Sequence, residues 1–442
     1  MRGAPGSGAE RAAELRARLG RLRAEELALE AELCALEAGQ ADERRSQQDG
    51  LSRDEIQRYS RQLLLAEVGT GGQVRLRNSA VAVVGTGGLG SPCALYLAAM
   101  GVGTLGLVDH DTVDHSNLHR QIAHTTAACE GAARKVVSAH AALARLNPQC
   151  RVRTHDVLLE SANALEILRG YDVVVDASDN AATRYLVNDA CVMLGIPLVS
   201  GSAVRVDGQL TVYNYNGGPC YRCLFPAPPP AATVATCSET GVLGVVPGII
   251  GCLQALEVVK VVTGRKEDEP PSMLLFSYKA HPHFRSIKLR GRVPTCAVCG
   301  DAPTVTGLVD YAAFCGAGPS DCPQTLDVLD DPSQRVSCRE YSAAMGRPHL
   351  LLDVRDEVQF AICSLPGALN VPLDRLDERR AELQRAIGAL GGAPVYVVCR
   401  RGNDSQLAVR YIRDTLGYAA CYDVGRGLIG WQAEVDPEFP TY

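Results

Sequence analysis

Ten residues constrain this chain more than any others. Val81 to Gly90 reads VAVVGTGGLG. A valine-rich strand ends in Gly85-x-Gly87-Gly88-x-Gly90, and a helical stretch follows. The glycines permit a tight turn and let the backbone approach a phosphate. The helix N-terminus then offers free N–H groups and a positive dipole end to that anion. Asp109 ends the next apolar run, nineteen residues after Gly90, where a carboxylate can hold a ribose hydroxyl. Taken alone the turn suits NAD, FAD or ATP, and a turn holding no ligand has the same pattern. The alternation continues beyond it. Strands are predicted at Ala80–Val84, Thr104–Val108, Arg151–Arg153, Val173–Asp176 and Pro197–Val199, with helical stretches between them. That pattern predicts a doubly wound, mostly parallel α/β sheet.

At roughly 150 residues per domain, 442 residues suggest two or three domains. Residues 1–50 read as an N-terminal helix and linker: 9–38 form an amphipathic helix with Leu15, Leu19, Leu22, Leu27, Leu29, Leu33 and Leu36 recurring along it, and 40–50 are polar. Residues 51–305 form the first globular part and 306–335 an irregular linker. From 336 to 442 a second, smaller α/β pattern has strands at His349–Val354 and Val395–Cys399. The net charge of −6 argues against a general polyanion binder, so no direct nucleic-acid partner is expected. The most apolar stretch, Gly241 to Val262, is broken by Pro247, Glu257 and Lys260 and makes a poor membrane span. The N-terminus lacks the apolar segment of a secretory signal. Seventeen cysteines, an odd number, fit a reducing cytosol better than a disulfide framework.

The residues around the turn do not look like those of a dehydrogenase. Ser116, Asn117 and Arg120 gather just beyond the acidic strand end, and Lys135 lies on the next helix. Asp176-Ala177-Ser178-Asp179-Asn180 follows another apolar strand, at the sheet edge where such folds bind ligands. Arg58-Tyr59-Ser60-Arg61-Gln62 lies on a helix before the first strand. Cations beside a carboxylate suit triphosphate chemistry, the cations neutralising phosphate oxygens and the Asp holding Mg²⁺. With RYSRQ, GTGGLG, LVDHDTVDHSNLHRQ, Lys135 and DASDN in this order, the chain from Leu51 to about Leu289 resembles the adenylyltransferases that activate ubiquitin-like proteins. The resemblance implies a Rossmann-like, ubiquitin-activating-type fold. It implies ATP on Gly85, Gly87, Gly88 and Gly90, ribose on Asp109, and phosphates on Ser116, Asn117, Arg120 and Lys135. It also implies Mg²⁺ at Asp179, with Asn180 beside it, and a homodimer whose Arg61 reaches the neighbouring subunit's ATP.

Cys220-x-x-Cys223 and Cys296-x-x-Cys299 each present two thiolates on one turn, as tetrahedral Zn²⁺ requires. Two redox pairs are the rival, without the expected thioredoxin-like setting. Four thiolates close the shell, so a structural zinc is expected. Cys237 sits in the polar TCSETG loop after a proline-rich segment. By resemblance, a cysteine in that place engages the activated partner covalently.

Val395–Val398 leads into Cys399, then Arg400-Arg401-Gly402-Asn403-Asp404-Ser405, then a helix. Loop N–H groups, a helix N-terminus and two arginines all favour a thiolate. A phosphatase needs Cys-x₅-Arg, and Ser405 stands in the arginine's place. A sulfane sulfur carried as a persulfide suits the loop better. With LLLDVRDEVQF, LPGALNVP and DVGRGLIGWQ, residues 336–442 resemble the rhodanese domain. Arg426 departs from it by interrupting a common double glycine.

The order adenylyltransferase then rhodanese resembles the two-activity family of molybdenum-cofactor synthesis and tRNA thiolation. It implies that ATP and Mg²⁺ adenylate the C-terminal glycine of a ubiquitin-like sulfur carrier. Such carriers are the small subunit of molybdopterin synthase and the ubiquitin-related modifier. A persulfide on Cys399, loaded by a donor such as a cysteine desulfurase, then forms a thiocarboxylate, with Cys237 assisting release. The alternative is a ubiquitin-activating enzyme that keeps a thioester on Cys237, its rhodanese part passive. A non-enzymatic scaffold and a dehydrogenase are weaker rivals.

Overall fold

The computed structural model describes residues 50–229, 240–316 and 326–442, with six helical positions between 11 and 29. The chain divides into two compact units, with the break after residue 321. The first holds an eight-stranded sheet in the order β3-β2-β1-β4-β5-β6-β7-β8. Its strands are β1 (Ala80–Val84), β2 (Thr104–Val108), β3 (Arg151–His155), β4 (Val173–Asp176), β5 (Leu198–Val204), β6 (Asp207–Tyr213), β7 (Ser272–Ser277) and β8 (Phe284–Lys288). The first five are parallel to one another, and β6 to β8 run antiparallel.

β1 sits centrally, covered on both faces, which is why it reads as a continuous valine run. Val81 and Val83 face one core, packed by the helices Gly90–Ala99 and Val245–Val262. Ala82 and Val84 face the other, packed by Ala181–Leu194. The strand order reverses between β1 and β4, so a crevice opens at their C-terminal ends.

Val245–Val262, eighteen residues with mean hydropathy 1.8, is long and apolar enough to cross a membrane. Here it is a core helix. Val246, Ile250, Ala255 and Val258 are buried, and a Cβ at Gly251 would lie 2.2 Å from the Leu89 carbonyl. The expected strands β1 to β5 are present, with β3 and β5 longer than read, but the antiparallel strands β6 to β8 were not anticipated. The stretch read as an irregular linker contains the helix Tyr311–Cys315, whose Cys315 is buried in the second core. Cys322 lies outside the described residues, as does most of the N-terminal helix.

The second unit has five strands in the order β11-β10-β12-β13-β9, all parallel. They are β9 (Arg335–Val336), β10 (Leu350–Asp353), β11 (Leu369–Asn370), β12 (Val395–Val398) and β13 (Cys421–Val424). Only β10 and β12 were legible in advance. The others are two to four residues long and owe their strand character to pairing.

Candidate functional sites

The glycine turn closes on itself. Gly85 has φ +93°, and a Cβ there would come within 2.8 Å of the Ala177 carbonyl. A Cβ on Gly90 would lie 1.8 Å from the Gly85 carbonyl. Both positions exclude any side chain. Gly87 is different, since its nearest neighbour would be the Gln121 amide at 3.5 Å, which leaves its backbone open to a ligand. A Cβ on Gly88 would touch Pro247 at 3.2 Å and Arg120 at 3.3 Å, so Arg120 lies against the turn.

Asp109 buttresses this turn. Its carboxylate accepts from the Thr86 N–H (2.8 Å), the Thr86 hydroxyl (2.9 Å) and the Asp111 N–H (2.9 Å). Behind it His124 is buried, its Nε2 3.1 Å from the Thr86 carbonyl and its Nδ1 3.1 Å from the Ser138 hydroxyl. Burial lowers the His124 pKa to about 4, so the ring is neutral at pH 7. The pairing then assigns the proton to Nε2. Sequence reading singled out neither: Thr86 fills a variable position of the glycine motif, and His124 belongs to no spaced motif.

Lys135 is nearly buried and donates to Asp111 Oδ2 at 2.8 Å. Partial burial pushes Asp111 up, but this bond and the nearby cations hold it below the usual carboxylate range. Asp109, His110 and Asp111 form a cluster with metal-ligand potential. Lys135 is already paired with one of its carboxylates, Asp111. Ser116 is tied to Asp114, which caps the turn His115–Asn117. Arg120 donates to Asn117 Oδ1 at 2.5 Å and to the Ser116 carbonyl at 3.3 Å.

At the end of β4 the two aspartates separate. Asp176 is buried and accepts from the hydroxyls of Ser178 (2.6 Å) and Ser200 (2.8 Å), a structural arrangement. Asp179 is exposed and has no partner among the described residues. That leaves it available to a cation. Asn180 caps the helix Ala181–Leu194 by accepting from the Thr183 N–H at 2.8 Å. Arg61 is exposed on the helix Ser60–Leu63. Its neighbour Gln62 donates to the Met100 carbonyl at 2.9 Å, at the far end of the helix Gly90–Ala99 from the glycine turn. That end is about 15 Å from the turn, so Arg61 is not gathered at the glycine turn.

The four CxxC cysteines converge. Cys220 lies 3.8 Å from Cys223 and 3.6 Å from Cys296, and Cys223 lies 3.4 Å from Cys299, sulfur to sulfur. A tetrahedron with Zn–S bonds of about 2.3 Å has edges of about 3.8 Å, so the donor set fits Zn²⁺. Burial pushes the Cys299 thiol up to about 12 and raises Cys220 as well, whereas at Cys296 backbone N–H bonds and the neighbouring thiols outweigh burial and pull the thiol down. Between the first pair, Arg222 is buried and bidentate on Asp189, which also accepts from the Tyr311 hydroxyl at 2.7 Å. Cys237 lies outside the described residues.

In the second unit Cys399 directly follows β12 and is 1% exposed. Its sulfur accepts from the Gly402 N–H at 3.1 Å and lies 3.2 Å from the Ser405 hydroxyl. Burial raises its pKa and outweighs the hydrogen bonds from Ser405 and the Arg401 N–H, which pull the other way. The loop was expected to yield a ready thiolate. In this closed arrangement desolvation wins. Asp353 and Arg355 form a buried pair at 2.6 Å, and Asn370 donates to both of their carbonyls. Arg426 has φ +61°, so the residue that replaces a glycine does sit in a glycine conformation.

A glycine turn at the switch point of an α/β sheet, with an exposed carboxylate and a cysteine cluster, followed by a separate cysteine-loop unit, is the arrangement of a nucleotide-dependent transferase joined to a thiol-chemistry domain. Residues 59–298 match the ThiF family and residues 337–434 the rhodanese-like domain. The chain is 51% identical over 400 residues to the adenylyltransferase and sulfurtransferase MOCS3 of Anopheles gambiae, covering 89% of this chain and 90% of that one. It is also 51% identical over 410 residues to the protein of the same name from Mus musculus, covering 89% and 88%. A crystal structure of E. coli MccB with MccA-N7isoASN shares the fold, with a TM-score of 0.50 at 21% identity over 57% of this chain and 76% of that one. The chain belongs to the ThiF family, in the group that carries a C-terminal rhodanese-like domain. It is an enzyme, joining adenylyl transfer to sulfur transfer. Membership in the family implies use of ATP, and the four-cysteine cluster could hold a metal ion.

Proposed function

We propose that this protein adenylates the C-terminal glycine of a ubiquitin-like sulfur carrier and converts it to a thiocarboxylate, serving molybdenum-cofactor synthesis and tRNA thiolation in the cytosol. The observation that carries this reading is the presence, on one chain, of a glycine turn at the sheet's switch point beside an exposed Asp179 and of a loop whose Gly402 N–H donates to the Cys399 sulfur. The N–H groups of the Gly85–Gly90 turn bind the phosphates, with Ser116, Asn117, Arg120 and Lys135. Asp109 orders the turn and meets the ribose. Asp179 would hold Mg²⁺, with Asn180 adjacent, and that ion supplies positive charge to the departing pyrophosphate. In a homodimer Arg61 adds a cation to the other subunit's site.

The carrier carboxylate attacks the α-phosphorus and pyrophosphate leaves. A carboxylate is a poor electrophile, whereas the acyl-adenylate has AMP as leaving group. A protein persulfide, such as that of a cysteine desulfurase, passes its outer sulfur to the Cys399 thiolate and departs as a thiolate. The outer sulfur of Cys399 then attacks the acyl carbon and displaces AMP, leaving an acyl disulfide. The Cys237 thiolate attacks Cys399 sulfur, releases the thiocarboxylate and forms a disulfide that an external thiol reduces. Zn²⁺ on Cys220, Cys223, Cys296 and Cys299 is structural, because four thiolates leave no open position.

The test is mass spectrometry of a candidate carrier incubated with the protein, ATP–Mg²⁺, a sulfur donor and a reductant. Replacement of one C-terminal oxygen by sulfur is expected. A thioester on Cys237 with no thiocarboxylate would overturn the reading in favour of conjugation chemistry.

A further inference from the structure

His124 is a buried side chain that the proposed mechanism does not use, and it lies between two parts of the nucleotide site. Its Nε2–H donates to the Thr86 carbonyl at 3.1 Å, and its Nδ1 accepts from the Ser138 hydroxyl at 3.1 Å. Thr86, His124 and Ser138 are 1%, 6% and 4% exposed, so water does not compete for either bond. Burial keeps the ring uncharged. A neutral imidazole has one donor and one acceptor, which is the form that makes both bonds.

Thr86 is the peg of the glycine turn. Its N–H and its hydroxyl both donate to Asp109, and its carbonyl also accepts from the Ser91 hydroxyl at 2.9 Å. Ser138 belongs to the helix Lys135–Leu146, three residues after Lys135 and so beside it on the helix surface. The start of that helix is held separately. The Lys135 N–H donates to the Asp111 carbonyl at 2.9 Å, its ammonium to the Asp111 carboxylate at 2.8 Å, and the Asp111 N–H to Asp109 at 2.9 Å. The result is a closed circuit through Asp109, Thr86, His124, Ser138, Lys135 and Asp111. The Asp111 attachment alone would let the helix pivot about its first turn. The His124 attachment, one turn further on, removes that freedom.

We propose that His124 is a positioning residue for adenylyl transfer: by bridging Thr86 and Ser138 it fixes Lys135 relative to the glycine turn, so that the ammonium and the turn's N–H groups meet one triphosphate together. The inference rests on the reading that Lys135 and the turn bind the phosphates of ATP. The ring takes up no proton in the reaction and touches no substrate. Its effect is geometric, and a displacement of about 1 Å in a positioned group is enough to be felt.

The experiment measures the Kd of ATP–Mg²⁺ on the full chain by calorimetry, with the melting temperature recorded for each variant. Ser138→Ala cuts the bridge at the helix end and installs a better helix former, so the fold should survive. It is expected to weaken ATP binding about fivefold, the effect of one buried hydrogen bond. His124→Gln, whose amide can donate to Thr86 in place of Nε2, loses the Ser138 half of the bridge and should weaken ATP by a similar factor. The double variant should bind no more weakly than the weaker single one, because both substitutions cut the same link. On a Lys135→Ala background neither should raise Kd more than about 1.5-fold, since the bridge acts through the ammonium. A merely structural role would lower the melting temperature and leave Kd unchanged. That result, multiplicative effects in the double variant, or undiminished effects without Lys135 would overturn the proposal. Lys135→Ala itself serves to separate the two readings. If it raises Kd while Ser138→Ala does not, the proposal alone fails. If it leaves Kd within about twofold of wild type, the placing of Lys135 on the phosphates fails, and the proposal with it.

Discussion

Two glycines three residues apart do different work. Gly90 has no room for a methyl group, because a carbonyl of the same turn fills the space at 1.8 Å. Gly87 has room, since its nearest neighbour would be a side-chain amide at 3.5 Å. Gly90→Ala should therefore cost about 3 kcal/mol or more and abolish exchange, read by thermal melting and pyrophosphate exchange. Gly87→Ala should melt within about 0.5 kcal/mol of wild type and yet slow exchange, since the added methyl stands where a phosphate approaches. An unchanged exchange rate would remove Gly87 from the binding surface. His124 gives a pH prediction at the same scale. Its folded pKa of about 4 lies below the unfolded value of about 6.5, so the unfolded chain binds the extra proton between them. The stability is fully present above pH 6.5 and lost as pH falls toward 4, about 2 kcal/mol of it by pH 5. His124→Gln should flatten the curve of stability against pH between 7 and 5. An equally steep curve would assign the slope to other groups.

At the scale of elements, the cysteine cluster joins segments 220–223 and 296–299, which are 72 residues apart. Bound Zn²⁺ would make that join a tight one, backed by the buried Arg222–Asp189–Tyr311 contacts. Chelation should lower the melting temperature of the first unit by several degrees, corresponding to about 2 kcal/mol or more. Metal-free protein with an unchanged melting temperature would sink the structural-zinc assignment. Elements also differ in how well the sequence announces them. β1 and β4 are buried on both faces and spell valine runs. β8 is exposed at every position and shows no period at all, since only its ladder with β7 makes it a strand. Val245–Val262 shows the reverse. Its composition fits a bilayer, and its surroundings make it the core of a domain.

At the scale of the molecule, the two chemistries reside in separate compact units, so they should fail separately. Asp179→Ala should reduce ATP–pyrophosphate exchange at least about 100-fold, with thiosulfate sulfurtransfer intact. Cys399→Ala should abolish sulfur transfer and leave exchange at the wild-type rate. Loss of both activities in Cys399→Ala would mean that the substitution disturbs more than the nucleophile. The same division governs legibility. The glycine turn, the paired CxxC motifs and the cysteine loop are chain-local: their spacing is their chemistry, and each was readable from neighbouring residues. The carboxylates of Asp176 and Asp179 look alike in the chain and part only in the fold, one sealed under Ser178 and Ser200, the other left to solvent. Arg61 was expected to serve a neighbouring subunit's site, and only the fold shows that the helix it rides on is anchored at the far end of Gly90–Ala99 from the glycine turn. The Cys399 loop was expected to favour a thiolate, and its desolvation reverses that balance. By itself, then, the sequence determined the residue types, their local spacing and the two α/β patterns, because backbone geometry and side-chain period act over a few residues. Only the tertiary structure decided which groups are buried, which are paired and which stay open, because desolvation and charge pairing are set by neighbours distant in the chain.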